Sequence, residues 1–392
     1  MGTTSSKSSL QSGTWSGQLG TAGATQPQKQ DSSGAPGKAT RTKEDSWCRH
    51  AAYVVDAGSN HTVVFKYATS PQRQPVQLGS ATLKFTALGA ENHKPCNLKL
   101  ADVIEGEDYA QFYGLLLSEL GRLGWVGQPV LIGATAGVRK LRDSASSGPD
   151  KIERFGRDVR ESGAIGPHAE FRLLEGVDEA RYEWAAARAL FGEFFRQSGK
   201  GEVQLFAGGG ASVQVAMADS AGPPLSVPSM ATRPIQEALK EKGRDAIEAE
   251  KGKLRSALEA HPIRPRGHFV CIAGFADVAE KLGFANEWVH AMATIPRLES
   301  LLEDLLAQRG AGWEAAREKW RERVEHLWPI AAAGCVRLGV LLESFPEDSQ
   351  LFFAEAPPAT AAAESPPKLC WPLGHYLEDH GLAAAEAHNH ES

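Results

Sequence analysis

Twice along this chain a short strand-forming run breaks at a glycine-bearing turn and is answered by a second run. Ala51-Ala52-Tyr53-Val54-Val55 leads into Asp56-Ala57-Gly58-Ser59, and Thr62-Val63-Val64-Phe65-Lys66-Tyr67 follows. Val203-Gln204-Leu205-Phe206-Ala207 leads into Gly208-Gly209-Gly210-Ala211-Ser212, and Val213-Gln214-Val215-Ala216-Met217 follows. β-Branched and aromatic runs separated by a few residues that include glycine read as β-hairpins. There is no repeat of short fixed period, yet the two hairpins read as counterpart elements of two similar halves.

Between and after them the periodicity turns helical. Tyr109, Phe112, Leu116, Leu120 and Leu123 share one side of a helix expected over 108–125. Pro129-Val130-Leu131-Ile132-Gly133 reads as a buried strand running into Ala134-Thr135-Ala136-Gly137 and a short helix ending near Leu141. The segment 143–168 is polar, broken by glycine and proline, and reads as partly loop. Asp178 to Phe195 is a strong helix, 234–260 and 297–328 are charged amphipathic helices, and 332–345 is an apolar one. A Pro/Ala linker at 357–367 precedes a last helix from Trp371 to His380.

Bulk properties narrow the function. The formal charge of -6 disfavours a general nucleic-acid binder. The 5 cysteines include no C-x-x-C pair, which argues against a zinc or redox site and against a disulfide framework. No run of about 18 apolar residues spans a membrane, and the first 45 residues lack the apolar core of a secretory signal. Those residues, 1–45, are too polar to offset ordering entropy and read as a disordered tail. Gly2 followed by Ser6 matches an N-myristoylation acceptor, and equally a Ser-rich tail that fits a loose pattern. One acyl chain at Gly2 would give weak, reversible membrane association. A cytoplasmic or peripheral-membrane location is expected, or the secretory pathway if residues precede this N-terminus.

Four segments carry chemistry. In Asp56–Thr62, Gly58 lets successive N–H groups turn toward an anion, and Ser59, Asn60, His61 and Thr62 add side-chain donors. Asp56 is a hard oxygen donor suited to a hydrated divalent cation; the plain alternative is an ordinary hairpin turn. In Gly208-Gly209-Gly210-Ala211-Ser212-Val213-Gln214, small residues admit close backbone approach to a phosphate, and Ser212 and Gln214 can orient a water. Thr135 either caps the following helix or brings its hydroxyl to a phosphate, with Arg139 in an ion pair. In Gly176–Trp184 the carboxylates of Asp178 and Glu179 suit a first helical turn through the macrodipole alone, or one of them is a general base.

Together and in this order, the four segments resemble the apyrase conserved regions of the nucleoside triphosphate diphosphohydrolase (guanosine diphosphatase/apyrase) family. Asp56–Thr62 resembles DAGSSHT, Ala134–Leu141 resembles ATAGMRLL, Gly176–Trp184 resembles G-x-(D/E)-E-G-x-x-G-W, and Phe206–Gln214 resembles LDLGGASTQ. Trp371-Pro372-Leu373-Gly374 is similar to a W-x-L-G near the family's C-terminus. The resemblance implies an α/β fold of two ribonuclease-H-like (actin-like ATPase) lobes with a nucleotide cleft between them. It implies residues 46–172, completed by 368–385, as one lobe, 173–367 as the other, and 386–392 as a flexible tail. It implies hydrolysis of nucleoside tri- or diphosphates with Mg2+ or Ca2+. Glu179 would be the base, Ser212 and Gln214 would position the water, and Thr135 would contact the terminal phosphate. Asp56 would hold the metal through waters, and the two hairpins would grip the phosphates. Trp371 and Arg139 read as architectural.

The match is imperfect. Ala207 stands where the family carries a second Asp, Ala180 and Glu183 where it carries Gly, and Asn60 where it carries Ser. Loss of an outer-shell carboxylate costs about 10–100-fold in metal affinity or activity. A weak or inactive nucleotide-binding protein of the same fold is therefore the second reading, with Asp178 or Asp219 as candidate compensating carboxylates. Polyphosphate or guanosine tetraphosphate hydrolysis on the same fold is the third.

Overall fold

The computed structural model describes residues 51–70, 74–85, 96–144, 146–210, 212–217, 224–227, 235–236, 244–260, 267–282, 285–307, 324–354 and 367–382. In chain order the first part contains β1 (Ala52–Ala57), β2 (Thr62–Thr69), β3 (Pro75–Thr82), β4 (Lys84–Phe85), β5 (Cys96–Asn97), α1 (Leu100–Gly106), α2 (Tyr109–Arg122), β6 (Val130–Ala134), α3 (Ala136–Ser144), α4 (Gly148–Glu161) and β7 (Ala169–Leu173). Helix α5 (Gly176–Gln197) leads to β8 (Gln204–Gly208), β9 (Val213–Ala216) and β10 (Leu225–Val227). Then come α6 (Arg244–Ala260), β11 (His268–Ala273), α7 (Gly274–Leu282), β12 (Trp288–His290), α8 (Ala291–Ala307), α9 (Val324–Leu342), β13 (Gln350–Phe353) and α10 (Trp371–Asp379).

Two large sheets repeat one plan. The first has the order β3-β2-β1-β6-β7, and the second β10-β9-β8-β11-β13-β12. In each, one strand of an antiparallel three-strand meander starts a parallel run, β1 with β6 and β6 with β7 in the first sheet, β8 with β11 and β11 with β13 in the second. Parallel pairing needs a crossover, which α2 supplies before β6, α6 before β11, and α8 and α9 before β13. The second sheet adds β12 as an antiparallel edge.

Alternation along the strands assigns faces. Tyr53, Val55 and Ala57 of β1 face a core with α1, α2, α3 and α4, whereas Val54 faces the other way. Phe206 of β8 faces a core with α7 and α9, whereas Leu205 and Ala207 face the opposite side. These opposite faces share one core, filled by Tyr182, Ala186, Phe191 and Phe195 of α5 and by Trp371, Leu373, Tyr376 and Leu377 of α10. Helices α5 and α10 thus lie between the sheets. A Cβ on Gly374 would sit 1.7 Å from the Tyr182 carbonyl oxygen, so any larger residue there would force the two helices apart. Phe191 and Phe195 are fully buried, and truncating either to alanine costs about 3–5 kcal/mol.

Both hairpins form as their sequences predict, with registers Ala57↔Thr62 and Gly208↔Val213 closing them. The stretch read as partly loop contains α4: Gly148-Pro149 opens it rather than breaking it. Proline fits a first helical turn because its missing N–H has no partner there anyway. Buried Ile152, Phe155, Gly156 and Val159 mark the stripe that packs inward. The apolar helix expected at 332–345 starts earlier, within α9. Of the linker at 357–367, residues 357–366 lie outside the described residues, as do Gly2, the tail 1–45, residues 386–392, Ala211 and Asp219. Among the described residues no helix is long and apolar enough to cross a membrane.

Candidate active site

The first hairpin brings Asp56 to the end of a central strand, paired across to Val63 and to Gly133 of β6. The next strand ends at the same level: the Thr135 N–H donates to the Ala57 carbonyl at 3.2 Å, and the Thr135 hydroxyl lies 3.5 Å from that same oxygen. The Thr135 carbonyl accepts from the Arg139 N–H at 3.1 Å, so Thr135 opens α3. A Cβ on Gly137 would stand 2.9 Å from Ser59 Cα. The tip of the first hairpin therefore rests on the first turn of α3, and glycine is what permits the approach.

On the second hairpin, Ala207 pairs with Gln214. Gln214 Nε2 donates to Ser212 Oγ at 2.6 Å, and both side chains are buried. Arg337 of α9 lies beneath them, donating from Nη2 to the Ser212 carbonyl at 3.1 Å with its guanidinium 5.4 Å from the Phe275 ring centroid. Burial lowers the Arg337 pKa to about 10, which leaves it charged at neutral pH.

The two tips face each other closely. A Cβ built on Gly210 would lie 3.0 Å from Asn60 Nδ2 and 3.3 Å from Ser59 Oγ. Beside this junction Gly176 opens α5, packed so closely on β10 that a Cβ would meet Ser226 Oγ at 2.3 Å. Three residues on, Glu179 is only 13% exposed and accepts from Arg139 Nη2 at 3.0 Å. Arg139 is held in turn by the Leu174 carbonyl, 2.6 Å from Nη1.

The acidic groups here are crowded. Asp56 Oδ1 accepts from Trp371 Nε1 at 2.9 Å. Burial pushes Asp56 up to about 6, against the indole hydrogen bond and the charge of Lys368. Glu179 is likewise pushed up to about 6, by burial first, with Arg139 pulling down and the charge of Asp56 adding to the rise. One helical turn further, burial and the charges of Glu179 and Asp56 hold Glu183 well above the usual carboxylate range. Its Oε2 is buried and has no hydrogen-bond partner among the described residues. His61 is exposed, and its pKa is lowered by partial desolvation and by Lys368.

Asp56, Ser59, Asn60, Thr135, Glu179 and Gly210 are thus brought to one place, with the Ser212–Gln214 pair at the tip of the second hairpin. Gly58 and Gly209 lie in the two turns, and Gly208 ends β8. Thr62 is fully buried at the start of β2. Asp178 is partly exposed and lies 3.7 Å from Arg181. Arg139 and Trp371, read as architectural, each hold a site carboxylate directly. Arg337, Lys368 and the burial of Glu183 went unread. Among the described residues, no three His, Cys, Asp or Glu side chains converge closely enough to hold a metal ion between them.

The fold recurs among solved structures. The Aquifex aeolicus PPX-GPPA enzyme superposes with a TM-score of 0.54 at 14% identity, over 84% of this chain and 99% of that one. An exopolyphosphatase from Cytophaga hutchinsonii superposes with a TM-score of 0.50 at 13% identity, over 85% of this chain and 98% of that one. At such identities the likeness is one of fold, and the fold is the mixed α/β arrangement of actin-like ATPases. No match is found among curated proteins. Residues 123–232 match the GDA1/CD39 (nucleoside phosphatase) family. That span includes the second, third and fourth of the segments read above, and it bears out the resemblance to the nucleoside triphosphate diphosphohydrolases.

Proposed function

We propose that this protein hydrolyses the terminal phosphate of nucleoside tri- or diphosphates in the cleft where the hairpin tips meet. The match to a nucleoside phosphatase family supports a phosphohydrolase acting on nucleotides or polyphosphate. The observation that carries the finer reading is the approach of Gly210 to Ser59 and Asn60 beside a sheltered Glu179. Small-residue turns present backbone N–H groups to phosphate oxygens, which stabilises the charge that builds in transfer. Glu179 takes the proton of an attacking water, and a carboxyl pushed up to about 6 is close enough to neutrality for that work. Arg139 keeps Glu179 ionised and aimed. Ser212 and Gln214, already hydrogen-bonded to each other, orient the water.

The residues present fit a divalent cation. The charge of Asp56 adds to the burial that raises the Glu179 pKa, and the charges of Asp56 and Glu179 both add to the rise at Glu183, so three buried carboxyl groups crowd negative charge into one place. Mg2+ or Ca2+, held through waters by Asp56, would supply Lewis-acid stabilisation of the phosphate oxygens. The test is phosphate release across a panel of nucleotides with and without each metal. Metal-dependent release that Glu179→Ala abolishes is expected; equal rates in the two proteins would refute the role of Glu179.

Ala207 favours a second reading, a nucleotide-binding protein without turnover. Its methyl group joins the apolar core between the sheets, where the resemblance expects a carboxylate. Nucleotide-induced thermal stabilisation without any phosphate release would select this reading over hydrolysis.

A further inference from the structure

One acidic side chain in the cleft has no task in the scheme above. Glu183 lies four positions after Glu179 on α5, so the two side chains share one helix face, with Cβ atoms roughly 5–6 Å apart. It is 9% exposed, and its Oε2 is sealed from solvent with no hydrogen-bond partner among the described residues. The charges that act on it are those of Glu179 and Asp56. The neighbours are differently placed. Glu179 is engaged by the Arg139 guanidinium, and one oxygen of Asp56 by the Trp371 indole. Leaving a buried carboxylate unpartnered is costly. Helix α5 could have carried an apolar residue here, as it does at Ala186 and Ala187 on the next turn.

We infer that Glu183 and Asp56 jointly hold the water shell of one divalent cation, with Glu183 serving as the second carboxylate of the site. The inference deepens the proposed function and rests on that reading of the cleft. Two carboxylates acting through water agree with the absence of a three-ligand cluster among the described residues. They also give the cleft a second acidic group from a helix, where β8 offers only the methyl of Ala207. Asp178, in the first turn of α5, is partly exposed and lies beside Arg181, 3.7 Å away.

The test is Mn2+ binding to the full-length, metal-free protein, followed by the paramagnetic resonance of free Mn2+. Glu183→Gln, nearly isosteric, should weaken Mn2+ binding by about 10–100-fold. Asp56→Asn should do the same, and Glu183→Asp should fall between wild type and Glu183→Gln. Far-UV circular dichroism and the thermal midpoint of each metal-free variant confirm that the fold is retained. An unchanged Mn2+ Kd in Glu183→Gln, or no Mn2+ binding by the wild type, overturns the inference. Phosphate release measured on the same proteins separates the two levels. Metal-dependent release with an unchanged Kd in Glu183→Gln sinks the role of Glu183 and leaves the hydrolase. A weakened Kd with no turnover of any nucleotide does the reverse.

Discussion

The two hairpins occupy the same place in two sheets of the same strand order, yet their chemistry is opposite. At the penultimate pair of the first, Asp56 faces Val63; at the penultimate pair of the second, Ala207 faces Gln214. The first tip is flanked by carboxyl groups, with Lys368 near its mouth. The second tip has a neutral Ser212–Gln214 pair, with the buried Arg337 cation behind it. The comparison teaches that equivalent backbone frames can divide one task. Under the proposed function, the first hairpin would offer a carboxylate for a cation, and the second would present polar hydrogens over a buried positive charge. The acidic groups missing from the second hairpin come instead from α5, the helix between the sheets.

If that division is real, the largest effect follows from removing the base that α5 supplies. Glu179→Gln should cut phosphate release by about 10²–10⁴-fold while nucleotide binding persists, measured by single-turnover kinetics beside equilibrium binding. A loss of binding equal to the loss of rate would make Glu179 a structural partner of Arg139 and nothing more. The next effect is on pH. Glu179 acts ionised, so release should rise with pH through about 6 and level off above it. Arg139 pulls that pKa down, so Arg139→Gln raises it and moves the acid limb to higher pH by about 1–3 units. Activity lost near neutrality should return in alkaline buffer. A profile that drops without moving would deny the ion pair its electrostatic role.

Much of this frame was legible in the residues. The hairpins, the strand at Val130 and the long helix at Glu179 rest on local patterns, and local patterns survive folding. The edge strand β3 escaped notice because it begins at Pro75, and most of its residues are only half-buried. Proline is tolerated at the start of an edge strand, where its missing N–H costs no ladder bond. Helix α4 was hidden by the Gly148-Pro149 pair that opens it. The site partners were hidden for a different reason. Trp371 reaches Asp56 across 315 residues, and Arg337 reaches Ser212 across 125. Nothing local ties an arginine in an apolar helix to a distant serine carbonyl. Glu183 was visible as a departure from the family pattern, but only tertiary packing buries its carboxyl beside two others.

A smaller effect sharpens the contrast between positions 56 and 207. If Glu183 supplies the second carboxylate, Ala207→Asp should restore Mn2+ affinity to Glu183→Gln by about tenfold. In the wild type the same change crowds a further carboxyl into the cleft and should lower the metal-free thermal midpoint. Restoration of activity by Ala207→Asp in the wild type would instead mark the second hairpin as the defective half.

The smallest effect concerns the mouth of the first hairpin. Lys368 lowers the pKa of both Asp56 and His61 through its charge, and its side chain is exposed. Lys368→Met removes a positive charge, so both groups should hold their protons more tightly and both pKa values should rise. Exposure allows water and salt to screen the interaction, so the rise in His61 should stay below about one unit. It should shrink further in high salt. A proton NMR titration of His61 in the two proteins at low and high ionic strength reads this directly. An unchanged His61 pKa at low salt would mean that Lys368 turns away from the cleft. The asymmetry would then lie wholly in the buried groups: Asp56, Glu179 and Glu183 at one tip, Arg337 behind the other.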